Sequence, residues 1–167
     1  MTADLPRSSR VAADPPALAA MRSGERVLLN RQRAVAVRPR PLSKFLARAC
    51  RLVLPSAAGV AVCLVSDAEI ARLNRTFRGK SGPTDVLSFP AHGAGASRRA
   101  RGFHLGDIAI SPAAARRNSL PEGRSVHDEL RLLILHGVLH LAGYDHETDQ
   151  GQMERYELRL RARLGIG

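Results

Sequence analysis

Aromatic side chains are scarce in this chain. Among 167 residues there is no tryptophan, and only two tyrosines and four phenylalanines. That is little material for a base-stacking platform of the kind that single-strand binding proteins spread over a sheet. Cysteine is equally sparse. Cys50 and Cys63 both sit in apolar surroundings (LARACRLVL and GVAVCLVS), so they are expected to be small core residues and not a disulfide. No apolar run approaches the ~20 residues of a membrane span, and MTADLPRSSRVAADPP lacks the apolar centre of a signal peptide. A soluble, cytoplasmic protein with no membrane partner is expected. Acidic residues are the minority: 15 against 26 basic ones, for a formal net charge of +11. All the basic residues except Lys44 and Lys80 are arginine. Arginine grips phosphate with two parallel donors, and each neutralised phosphate releases counterions, so a polyanion, and nucleic acid first, is the expected partner. An alanine- and arginine-rich coding bias supplies part of the same excess, so charge alone does not decide the partner.

The length fits one domain with a real core. Residues 1–25 are rich in Ala, Pro, Arg and Ser without periodicity and read as a disordered extension, leaving 26–167 as a single folded domain. VLLNRQRAVAV predicts a first strand. PLSKFLARACRLVL predicts an amphipathic helix with Ser43 as its cap. GVAVCLVS is a buried strand, and Asp67 is placed as the cap of DAEIARLNRTF, whose Ile70, Leu73, Asn74 and Phe77 share one face. A loop, RGKSGPT, leads to the strand DVLSFP. AHGAGASRRARG reads as a flexible basic loop, and LGDIAIS as a strand. Ser111 and Pro112 open a short helix over SPAAARRNS, SVHDELRLLILHGVLHLAG is the most hydrophobic helix, and TDQGQMERYELRLRARLG closes the chain with Met153, Tyr156, Leu160 and Leu164 inward. Internal repeats are absent. The fold class is α+β, a small sheet covered by helices.

Three of the six histidines fall in HGVLHLAGYDH. Positions four apart on a helix lie one above the other, so His136 and His140 can chelate one ion, and Gly143 ends the helix and turns the chain so that His146 can join them. Three imidazoles leave a fourth tetrahedral position open, as in catalytic zinc sites. The spacing H-x3-H-x2-G-x2-H is that of the metzincin proteases, which makes a zinc peptidase a rival reading. Such a protease carries a carboxylate directly after the first histidine to move a proton to the leaving amine, and here that position is Gly137. An alkoxide leaving group makes less demand on that proton, and a metal ion with a nearby cation could supply much of the catalysis of phosphodiester cleavage.

A second constellation stands in FRGKSGPTDVLSFP, where Arg78 and Lys80 lie in a glycine-containing loop ahead of Thr84 and Asp85. Alone it is a basic surface turn. Together, in order, LNRTFRGKSGPTDVLSFP, LGDIAIS and HGVLHLAGYDH closely resemble the YbeY family of metal-dependent endoribonucleases, which are zincin-like hydrolases. The resemblance runs from about Val60 to the end. It implies a small mixed sheet packed with helices, and a zinc site at the end of a helix in the C-terminal half. It implies His136, His140 and His146 as ligands of one zinc ion per chain, and Arg78 as the functional arginine near the metal. It implies action on single-stranded RNA, chiefly 3′-end maturation of the 16S RNA of the small ribosomal subunit, and a part in ribosome quality control alongside that subunit's assembly factors. No small-molecule cofactor is expected. A metal-containing assembly factor without catalysis is the non-enzyme alternative.

Other residues carry weaker expectations. Glu129, seven positions before His136, could orient a ligand histidine, although a partnership with an arginine at the helix start is the more ordinary role. Asp145 is expected to fix the turn before His146 and could face the metal. Asp85 and Ser88 are candidate cleft residues with capping or packing as the default, and Asp107 reads as structural. His104 and His127 lack metal spacing and read as surface histidines. Lys80, Arg98, Arg99 and Arg101 are candidate RNA contacts.

Overall fold

A computed structural model describes residues 24–56, 58–91 and 102–167. The expected N-terminal extension, up to residue 23, and the basic loop with Arg98, Arg99 and Arg101 lie outside the described residues. Four strands and five helices follow one another among the described residues: β1 (Arg26–Asn30), α1 (Pro39–Val53), β2 (Ala58–Leu64), α2 (Asp67–Arg78), β3 (Val86–Pro90), β4 (Phe103–Ile110), α3 (Pro112–Ser119), α4 (Val126–Leu141) and α5 (Gln152–Leu164). The fold is α+β, as its composition of elements predicted.

The sheet order is β1-β2-β4-β3. β1 and β4 run parallel to β2, and β3 pairs antiparallel with β4 at the edge. Every residue of AGVAVCL in β2 is buried, which is how a strand reads when helices cover both its faces. Alternation sorts the side chains. Val60, Val62, Leu64, Ile108 and Ile110 join α1, α4 and α5 in the larger core, while Cys63, Val65, Leu87 and Ala109 meet Ile70 and Leu73 of α2 on the opposite face. Both cysteines are buried and free.

Several boundaries depart from the sequence reading. β1 stops at Asn30 because the Gln32 side chain closes a turn, its amide donating to Asn30 Oδ1 and the Val35 carbonyl while its oxygen accepts from the Val35 N–H. α1 begins at Pro39, four residues before Ser43, since proline suits the first helical turn, where its missing N–H leaves nothing unpaired. The cap of α2 is Ser66, whose hydroxyl accepts from the Glu69 N–H; Asp67 instead accepts from Ser111 and Arg117. Ser111 and Ser125 cap α3 and α4.

α4 sets the frame for the rest. Apart from its first three residues, Arg131, His136 and His140 it is buried, and it lies very close to the sheet at Gly137. A Cβ added there would stand 2.8 and 2.9 Å from the two methyl carbons of Ile108, itself fully buried. Glycine at 137 is therefore a packing requirement, and any side chain at that position would be directed into the sheet. Gly137→Glu is expected to lower stability by about 3 kcal/mol or more, from overpacking plus a buried carboxylate. Thermal unfolding checks this, and an unchanged midpoint would contradict the packing account.

Candidate metal centre

His136 and His140 project from the last turns of α4 because a four-residue step returns a helix to the same face. The helix then ends in a two-bond C-terminal cap: the Gly143 N–H donates to the His140 carbonyl at 3.0 Å and the Tyr144 N–H to the Leu139 carbonyl at 3.1 Å. Gly143 adopts φ 98°, a left-handed value that a side chain would strain. The reversed chain is fixed by two aspartates. Asp145 accepts from the Glu147 N–H and the Thr148 hydroxyl, and Asp149 accepts from the N–H groups of Gly151, Gln152 and Met153 at the start of α5. His146 is thereby brought back beside the helical pair.

The three imidazoles could hold a metal ion, since one nitrogen from each lies within 4.8 Å of the others. The Nε2 atoms of His136 and His140 are 3.1 Å apart. Two nitrogens bound tetrahedrally at 2.0–2.1 Å would sit roughly 3.3 Å apart, so this pair fits one ion between them. A carboxylate fixes the tautomer. His136 Nδ1 donates to Glu157 Oε2 at 3.0 Å, which leaves the Nε2 lone pair for the metal. Glu157 comes from α5, and its other oxygen accepts from Arg161. Burial pushes the Glu157 carboxyl up, but the bonds from His136 and Arg161 outweigh it and hold the group below the usual carboxylate range. Burial lowers the His140 pKa, and the neighbouring His136 and His146 lower it further, favouring the neutral ring that a metal requires. The donor set therefore fits a divalent transition metal.

Arg78 stands near the triad. Gly79 caps α2 after Arg78, its N–H donating to the Arg75 carbonyl at 3.1 Å, and Asn74, buried, donates to the Gly82 carbonyl at 3.0 Å to tie down the loop that follows. From that end the Arg78 guanidinium reaches 3.6 Å from Glu147, the residue after His146. Arg78, Lys80 and the three histidines line one cleft of about 970 Å³ along β3.

The remaining candidates sort as follows. Ser88 lines the cleft and donates to the Gly137 carbonyl at 3.4 Å, and Asp85 lines it too but caps β3, accepting from the Val86 N–H and Asn118. Asp145 lies at the cleft wall as a turn residue. Glu129 is not the carboxylate that orients a ligand: Arg124 donates to it twice, at 3.0 and 2.8 Å, at the far end of α4. His127 accepts from the Arg38 N–H, away from the metal site. His104 pairs with Asp107 at 2.8 Å, and both line the cleft. Sequence reasoning missed Glu157, Glu147 and this pair. A signal for Glu157 existed, because it shares the apolar stripe of Met153, Leu160 and Leu164, where a carboxylate needs a partner. His104 and Asp107 gave none: the extra residue Leu105 in β4 opposite the Gly59/Val60 step breaks the alternation from which faces are read.

Comparison with known proteins agrees along nearly the whole chain. A family model described as Endoribonuclease YbeY matches residues 28–165. A protein of Solibacter usitatus named Endoribonuclease YbeY is 42% identical over 146 residues, 87% of this chain and 93% of that one. Another of that name from Koribacter versatilis is 44% identical over 140 residues, 84% of this chain and 86% of that one. A Thermotoga maritima protein with a known solution structure is 28% identical, covering 83% of this chain and 88% of that one, with a TM-score of 0.56.

The carboxylate behind His136 gives a direct test. Glu157→Ala should weaken Zn2+ binding by about 10–100-fold in a chelator competition, while Glu129→Ala should leave it unchanged. Equal affinities in the two variants would remove Glu157 from the site.

Proposed function

The chain belongs to the family of the endoribonuclease YbeY, and on that premise we propose that it is a zinc-dependent endoribonuclease of single-stranded RNA. Its substrate in this reading is ribosomal RNA in the cytoplasm, at the 3′ end of the 16S RNA, and it serves ribosome quality control with the small subunit and its assembly factors. The observation that carries the reading is the convergence of three histidine nitrogens in a cleft shared with Arg78 and Lys80.

His136, His140 and His146 would hold the zinc ion, which would supply Lewis acidity and lower the pKa of water at the site. The chain's own groups do the rest. Glu157 keeps the ring proton of His136 on Nδ1 and so keeps the histidine correctly turned. Arg78 is half-exposed and its partner Glu147 more so, and a pair of that kind contributes little stability. A phosphate can therefore displace Glu147 and take both donors of the guanidinium fork, which holds the scissile or an adjacent phosphate at the cleft. Lys80 adds a mobile point charge on the same wall. A peptidase would need a base after His136; Gly137 provides none, and the space its side chain would take belongs to Ile108.

Arg78 separates catalysis from folding. Arg78→Glu should leave zinc content intact and change stability by less than ~0.5 kcal/mol, while cleavage of single-stranded RNA falls by orders of magnitude. Arg78→Lys should restore part of the rate. Wild-type cleavage by Arg78→Glu, or cutting of denatured protein in place of RNA by the wild type, would refute the reading.

Binding should also show its charge. Affinity for single-stranded RNA should fall by roughly 0.7 log units per log unit of salt for each phosphate neutralised. Salt-independent binding would mean that the arginine excess does not meet the backbone.

A further inference from the structure

We propose that the cleft includes a nucleobase subsite on the α2 side of β3, built by Phe77, Phe89, Asp107 and His104, which takes one unpaired base of the RNA whose phosphate Arg78 holds. The proposal deepens the ribonuclease reading and rests on it.

Phe77 is the starting observation. Helical spacing places it on one face with Ile70, Leu73 and Asn74, all buried, yet Phe77 is 39% exposed. An isolated exposed hydrophobe would need no explanation. This ring, however, immediately precedes Arg78 and opens into the cleft that the three histidines line. Phe89 backs it edge-on, with ring centroids 5.0 Å apart at 71°. Phe89 in turn lies directly opposite Asp107 in the β3/β4 register, so their side chains stand on the same sheet face as neighbours. Asp107 accepts from His104 at 2.8 Å, and both side chains remain partly exposed.

The four residues thus form a row in which an apolar ring surface passes into a hydrogen-bonding edge. A nucleobase has the same two parts, a π-face that stacks and an edge that hydrogen-bonds, and unpaired bases are the ones that can present both. One Asp107 oxygen is already taken by its hydrogen bond with His104, and Arg78 and Lys80 on the same cleft supply the positive charge that attracts the strand. An aliphatic partner would use the ring surface but leave the polar pair idle, and a bare phosphate would use neither. The bulge at Leu105 brings His104 to the same side as Asp107, which an unbroken strand would not do.

The test is an abasic scan. Fluorescent 2′-O-methyl hexanucleotides, each lacking one base at a different position, are titrated with the zinc-loaded full chain by anisotropy. For wild type, one position should lose about tenfold in affinity and the others little. Phe77→Leu should bind the intact strand about tenfold more weakly and lose nothing further at that position, while Phe77→Tyr should match wild type. A uniform profile across positions in wild type would overturn the subsite whatever the variants do, as would Phe77→Leu losses that add in full to the abasic loss. Cleavage of unmodified RNA is scored separately. Cleavage with a uniform profile rejects the subsite and leaves the nuclease standing. A localised profile without cleavage keeps the subsite and rejects the nuclease, and absence of both binding and cleavage rejects the two together.

Discussion

A helix can approach a sheet this closely only where a residue gives up its side chain, and at Gly137 the backbone of α4 rests against Ile108 with no room for a Cβ. That contact places the last turns of α4 beside the edge strand β3, with the Ser88 hydroxyl against the Gly137 carbonyl. His136 and His140 flank the contact and emerge at the cleft. The same glycine leaves the position after His136 without a carboxylate. Packing and chemistry are thus constrained by one residue: the glycine that lets α4 lie against Ile108 also leaves no carboxylate where peptide cleavage would require one.

Charge is distributed accordingly. The chain is strongly basic, yet each carboxylate near the cleft is already engaged: Glu157 by His136 and Arg161, Asp85 by the Val86 N–H and Asn118, Asp107 by His104, Asp145 by the Glu147 N–H and the Thr148 hydroxyl, and Glu147 by Arg78. Glu157, Asp85 and Asp145 hold structure. The Arg78–Glu147 pair is different, being long and exposed, and is the one that an incoming phosphate can replace at little cost.

Much of this was legible from residue order. The convergence of the three histidines followed from a four-residue helical step and a glycine stop, and the cap Ser111 and the buried strand β2 followed from local rules. What the sequence left obscure depended on contacts between distant segments. Glu129 was a candidate because it shares a helix with His136, but α5 folds back and supplies Glu157 in its place. Asp67 was placed as a cap, yet α3 recruits it through Ser111 and Arg117. Phe77 has the spacing of a core residue, and only the position of α2 at the end of the cleft leaves it open. Local periodicity states which face a residue is on; it does not state whether the next element arrives to cover that face.

The claim that the histidine cluster is the catalytic centre of a ribonuclease is tested most directly by one comparison. Wild type and His140→Ala, both purified under metal-free conditions, are reloaded with Zn2+ and given the same single-stranded RNA, with binding and cleavage measured in parallel. The account expects both proteins to bind RNA and only the zinc-loaded wild type to cut it. Cleavage by His140→Ala at the wild-type rate, or by wild type without any metal, would contradict it.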